Sequence, residues 1–170
     1  MFDVCGAPAL TARVVGGYDR PVVAVIGASG KSGSLSLVAA RRAGAGRTVG
    51  VCPDETEAAR LRASGLADEV VVADARAPIG GVRADVTVVC VDVPGCEHAA
   101  ILATRDGGTV VFFSMATSFT AAALGAEGLA ADVTLLIGNG YVPGHARMAL
   151  DLVRATPGLR RLFAQRLRAD

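Results

Sequence analysis

Three glycines, Gly27, Gly30 and Gly33, stand at a spacing of three directly after the apolar run Val22-Val23-Ala24-Val25-Ile26. A short β-branched run reads as a buried strand. The residues that follow the glycines, 34–42, are good helix formers. Strand, glycine turn and helix in that order can hold a pyrophosphate. Gly27 allows the tight turn, Gly30 lets the backbone approach the phosphates, and Gly33 lets the helix pack close to the strand. Free N–H groups at the helix start favour an anion there. Ser29, Lys31 (the only lysine in the chain) and Ser32 complete the candidate set. The turn therefore implies a bound dinucleotide, NAD or NADP. Two other readings stand beside it. Gly30-Lys31-Ser32 also spells the end of a nucleotide-kinase phosphate loop, but that loop needs a glycine where Val25 stands. The turn could also bind nothing.

Four further positions could take part in binding such a ligand. Asp54, close behind the second predicted strand, could hold the adenosine ribose, or equally cap a helix. Asp74, ending the third strand, could meet the adenine edge or be a solvated loop aspartate. Val91 and Ser114 end the fourth and fifth strands and face the same crevice. Proton transfer points elsewhere, to Tyr141 and His145 in Gly138-Asn139-Gly140-Tyr141-Val142-Pro143-Gly144-His145. A histidine titrates near neutrality and a tyrosine can donate to a carbonyl oxygen. The plainer alternative is that Tyr141 packs and His145 sits near a helix start. His98 reads as a surface residue, and Asp92 and Glu97 as carboxylates whose pairing nothing in the sequence fixes. No histidine or cysteine spacing matches a zinc site.

The elements that must position these residues follow from periodicity. A lead-in, 1–18, carries a short helix over 7–15, expected on the sheet edge. Strands are predicted at 22–26, 47–52, 69–74, 86–91, 109–113 and 133–137. Helices are predicted at 34–42, 55–64 with Gly65 as C-cap, 95–104, 121–126, 144–155 and 159–167. Short apolar strands alternating with helices give an α/β fold, a Rossmann-type doubly wound parallel sheet of six strands in the order 3-2-1-4-5-6. The whole chain, 1–170, reads as one such domain, with a nucleotide-binding core over 19–156 and a C-terminal helix in 157–170. Strand six lies at the edge and is apolar, which predicts a homodimer formed by pairing that edge with its own copy.

Bulk properties narrow the function classes. Of 170 residues, 52% are hydrophobic and 19% charged, so a packed core is expected rather than disorder. The net charge of +1 argues against a nucleic-acid or anionic-membrane partner and leaves a small-molecule substrate. The mean hydropathy of +0.46 comes without any apolar run reaching the ~18 residues of a membrane span. Four scattered cysteines and no signal-peptide pattern suggest a reducing, cytoplasmic setting.

Read together, four segments resemble a known family. They are Gly27-Ala28-Ser29-Gly30-Lys31-Ser32-Gly33, Ile101-Leu102-Ala103-Thr104-Arg105-Asp106-Gly107-Gly108-Thr109, the run 112–128 beginning Phe112-Phe113-Ser114-Met115-Ala116-Thr117, and Ile137-Gly138-Asn139-Gly140-Tyr141. They are similar to L-erythro-3,5-diaminohexanoate dehydrogenases, a family that resembles the medium-chain dehydrogenases. The resemblance spans about residues 3–167. It implies NAD(P)-dependent oxidative deamination of a 3,5-diamino acid to a 5-amino-3-oxo acid. Members of the family also carry an N-terminal catalytic-type domain that this chain lacks, and an acid usually ends their second strand, where this chain has Cys52. The resemblance therefore implies the cofactor half of such an enzyme. Alternatives are a non-redox enzyme, an isomerase or cyclase, that reuses the crevice, and a non-catalytic module completing a split dehydrogenase.

Overall fold

In the computed structural model the described residues are 3–138 and 141–167. After a 3-10 turn, Asp3–Cys5, the chain forms α1 (Gly6–Val15), β1 (Val22–Ile26), α2 (Lys31–Arg42), β2 (Arg47–Cys52) and α3 (Glu55–Ser64). Then come β3 (Glu69–Val72), β4 (Ala84–Val89), α4 (Glu97–Leu102), β5 (Thr104–Phe112) and α5 (Phe119–Gly128). β6 (Val133–Ile137), α6 (His145–Ala155) and α7 (Pro157–Arg166) complete it. The six strands form one sheet in the order β3-β2-β1-β4-β5-β6, and every neighbouring pair is parallel. The expected doubly wound topology is present, and the order reverses between β1 and β4.

The sheet is covered on both faces, which is why β1, at its centre, is apolar at all five positions rather than at alternate ones. Val23 and Val25 of β1 point into a core built with α1, α2, α3, α6 and α7. Ala24 and Ile26 point the other way, toward Ile101 and Ala122 of α4 and α5. Phe112, Ile26, Leu37 and Leu61 are fully buried, each worth roughly 1.5–3 kcal/mol of transfer free energy.

Several boundaries differ from expectation, each for a local reason. α2 starts at Lys31, because Gly30 is its extended N-cap (φ −67°, ψ 170°) and the turn feeds the helix directly. α4 is shorter than expected, since Gly95 lies in the left-handed region at φ +87°. β5 begins at Thr104, which is bonded through its hydroxyl to Thr87 (2.7 Å) and to the Ala100 carbonyl (2.8 Å). A register shift between Ala84 and Val86 absorbs the bend that the sequence presents as a turn at 106–108. Pro157 separates α6 from α7 and opens α7 two residues earlier than expected, at the position where a missing N–H costs nothing. α1 lies on a face of the sheet against α2 with Ala7, Thr11 and Val15 fully buried, rather than on the edge.

Candidate nucleotide site

β1 ends by passing Gly27 at φ +81°, with the N–H groups of Gly27 and Ala28 both bonded to the Val51 carbonyl (3.0 and 3.1 Å). A Cβ on Gly27 would stand 2.5 Å from Val91 Cγ1. A Cβ on Gly33 would stand 2.2 Å from the Gly27 oxygen and 2.9 Å from Ala28 Cα. Gly30 differs: its Cβ would meet only the Gly27 oxygen, at 3.2 Å. Two glycines thus let α2 and β4 close on the turn, and the third leaves its surface bare. The Gly30 N–H closes the turn onto the Gly27 oxygen (3.1 Å), and Ser34 returns to the Gly30 carbonyl through its N–H (2.9 Å) and hydroxyl (2.7 Å). Among the described residues, the N–H groups of Lys31, Ser32 and Gly33 make no hydrogen bond. They are the free donors of a helix start, where an anion fits. Lys31 is exposed beside them.

A cavity of about 460 Å³ opens next to the turn, lined by the ends of β1, β2, β3 and the residues after β4. Gly27, Asp74 and Val91 line it, as does Cys52; Asp54 does not. The Asp54 carboxylate accepts from the Glu57 N–H (2.9 Å) and serves as the N-cap of α3. The charged groups on the cavity wall are Asp74 and Arg76. The arginine grips the carboxylate side-on, Nε to Oδ1 at 3.1 Å and Nη2 to Oδ2 at 2.9 Å. Hydrogen bonds from Arg76 hold the Asp74 carboxyl below the usual aspartate range. Arg76 is missed by sequence reasoning because 75–84 reads there as loop; the only signal was its place two residues beyond a strand end. Burial pushes the Cys52 thiol above its ordinary value, so it is a neutral apolar wall here and not a nucleophile.

Ser29 is buried in the turn and held from three sides. It lies against the Cys52 thiol and against the Glu57 carboxylate, and its carbonyl accepts from Arg166 Nε at 3.0 Å. Arg166 Nη2 also pairs with Glu57 at 2.7 Å, and Arg60 pairs with the other Glu57 oxygen at 2.7 Å. Burial alone would raise the Glu57 carboxyl; Ser29 and the two guanidiniums outweigh it and hold the group below the usual range.

The proton-transfer candidates lie apart from this crevice. Tyr141 and His145 touch, with ring centroids 5.4 Å apart, and His145 Nδ1 lies 2.7 Å from the Val142 carbonyl oxygen. Tyr141 lines a second cavity of about 180 Å³ with Leu10, Arg13, Phe113 and Ile137, and the two cavities share no lining residue. Asn139, two residues before Tyr141, falls outside the described residues. Ser114 is half-buried past the end of β5, its hydroxyl accepting from the Ala116 N–H at 3.1 Å. Glu97 is buried and accepts from the Ser118 N–H (2.7 Å), so it braces the β5–α5 loop instead of pairing with Asp92. Arg105, a cation one could place near a substrate, pairs with Asp85 at the opposite end of the sheet, where Asp85 holds the Val22 N–H.

The chain is 44% identical to L-erythro-3,5-diaminohexanoate dehydrogenase of Acetoanaerobium sticklandii, over 95% of this chain and 50% of that protein. It is 39% identical, with the same coverage, to the enzyme of that name from Fusobacterium nucleatum subsp. nucleatum. The chain resembles the cofactor-binding half of these dehydrogenases. It spans about half the length of both curated relatives. No protein-family model matches it. Among solved structures, the fold is shared with L-idonate 5-dehydrogenase of Escherichia coli (TM-score 0.71, 16% identity, 94% of this chain and 46% of that one). It is shared with S. aureus TarJ in complex with NADPH (0.69, 13%, 95% and 51%). It is also shared with Bacillus subtilis yhfP with NAD bound (0.61, 18%, 95% and 50%).

Proposed function

We propose that this chain binds NAD or NADP, its pyrophosphate on the glycine turn and its adenosine in the 460 Å³ crevice, and serves as an oxidoreductase-like cofactor domain. The observation that carries the reading is the turn itself. Gly33 and Gly27 are positions where a Cβ collides, while Gly30 is bare toward the free N–H groups of α2. The donor set is neutral amide N–H plus Lys31, which suits a pyrophosphate. Asp74 and Arg76 would face the adenosine. When bound, the nicotinamide supplies hydride chemistry; the chain's own part is to hold the cofactor and orient it. The test is Gly30→Val, which places a branched side chain where the pyrophosphate would lie while leaving the fold intact. NADH and NADPH binding should weaken about tenfold or more, with an unchanged circular dichroism spectrum; unchanged affinity contradicts the assignment.

The substrate reading is a small amino or keto compound, by likeness to the named relatives. Tyr141 and His145 are our candidates for proton transfer, with Arg13 the cation beside Tyr141. A second reading is a module that completes a split dehydrogenase, the matched region being about half of each relative. A non-redox isomerase or cyclase would need the crevice to bind something other than a dinucleotide. We further propose a homodimer through the β6 edge, and a cytoplasmic setting in keeping with four free cysteines. No helix among the described residues is long and apolar enough to cross a membrane.

A further inference from the structure

We infer that Arg166, at the end of the C-terminal helix, is a positioning residue for the nucleotide turn, so that α7 is a working part of the cofactor site. This inference rests on the nucleotide reading above. α7 runs from the end of α3 to its start. Gly158 sits against Ser64, where a Cβ would be 2.3 Å from the Ser64 oxygen, and Arg166 arrives at Glu57 and Ser29. The helix is anchored without Arg166, since Leu159 and Leu162 are fully buried in the core and Arg160 bonds back to the Val153 carbonyl (3.1 Å). Its last turn is therefore free to serve something else.

What it serves is one peptide plane. The peptide joining Ser29 to Gly30 is pinned at both ends: its oxygen takes Arg166 Nε at 3.0 Å, and its N–H takes the Gly27 oxygen at 3.1 Å. Gly30 has no Cβ to resist a flip of that plane. A flip would point the Ser29 oxygen at the Gly27 oxygen, break the bond that closes the turn, and change φ at Gly30, the N-cap of α2 beside the free N–H groups. Arg166 opposes the flip with a charged donor, and Glu57 fixes the guanidinium's angle through Nη2 at 2.7 Å. A turn held in its bound shape loses less on binding. Coupling is reciprocal, so bound nucleotide should also steady the end of α7.

The experiment titrates NADH and NADPH into the full chain and into three variants, with amide hydrogen exchange followed in parallel. Arg166→Ala should weaken binding about tenfold and Arg166→Lys about threefold, because lysine keeps a donor but loses the fork. Arg160→Ala, which loosens the same helix without touching the turn, should bind as the parent does. In the parent, saturating nucleotide should slow exchange at 163–166, and in Arg166→Ala it should not. If the alanine variant does not fold, the lysine variant carries the same comparison. Equal affinities for the parent and Arg166 variants, or equal losses in the Arg160 and Arg166 variants, would overturn the inference while the nucleotide reading stands. A parent chain that binds neither nucleotide would overturn both.

Discussion

At the residue scale, the three glycines of the turn differ in what they tolerate. Gly33→Ala forces a methyl to within 2.2 Å of the Gly27 oxygen, and backbone cannot yield as a flexible side chain does. It should destabilise the fold by about 1–3 kcal/mol, read as a lower denaturation midpoint. The spacing of these glycines was legible because each solves a local backbone problem within one turn. Asp54 and Asp74 were not separable in sequence: both follow strands. The N–H of Glu57 draws the Asp54 side chain back as a cap, whereas Asp74 has Arg76 to hold it at the crevice wall. Arg166 was invisible for a different reason, since its contact with Ser29 joins residues 137 apart.

The cysteines give a residue-scale pH prediction. Burial pushes the Cys90 thiol up to about 12 and the Cys96 thiol to about 11, from an ordinary 9.0. Both stay neutral in the folded chain, while the unfolded chain ionises its thiols near 9.0. Their contribution to stability is therefore intact below that value and is lost as pH rises through the folded values. Urea denaturation at pH 8 and again at about pH 10.5 should show lower stability at the higher pH. At pH 8, iodoacetamide should leave Cys90 and Cys96 unmodified in the native state.

At the scale of elements, Asp68 ties the start of β2 to the approach of β3. Its carboxylate accepts from the buried Thr48 N–H (2.7 Å) and hydroxyl (2.8 Å), and pairs with Arg41 at 2.5 Å. Asp68→Ala leaves the Thr48 N–H without its partner and should cost about 1–3 kcal/mol. Desolvation raises the Asp68 carboxyl, but Thr48 and Arg41 outweigh it and lower it from 3.8. Its contribution is thus present above that value and lost as pH falls through the lowered one; acid titration of the parent against Asp68→Ala, monitored by circular dichroism, checks this. Strand cores were readable from β-branched runs because both sheet faces are buried. Element ends were less so: Gly95, Pro157 and the Thr104–Thr87 contact move boundaries through φ values and long-range bonds that periodicity does not carry.

At the scale of the molecule, β6 is the sheet edge, and Ile137 with Phe119 and Leu124 of α5 is exposed beside it. Pairing of that edge with its own copy should give a dimer by light scattering at micromolar concentration, and Leu136→Lys, placed on β6, should shift it toward monomer; a monomeric parent chain contradicts the edge-pairing proposal. The cavity beside the glycine turn and the cavity lined by Tyr141 share no lining residue. The fold follows from local patterns and was readable; the second cavity brings Leu10 and Arg13 of α1 to Ile137 of β6, a long-range meeting that no local pattern encodes.

The most direct test of the central claim is an equilibrium titration of the purified chain with NADH and with NADPH, followed by nicotinamide fluorescence. Binding of at least one of them is predicted to saturate with a Kd of about 100 μM or tighter, roughly −5.5 kcal/mol or better, and to be competed by ADP-ribose, which shares the pyrophosphate and adenosine. No saturable signal from either nucleotide at millimolar concentration would contradict the assignment of the glycine turn as a dinucleotide site.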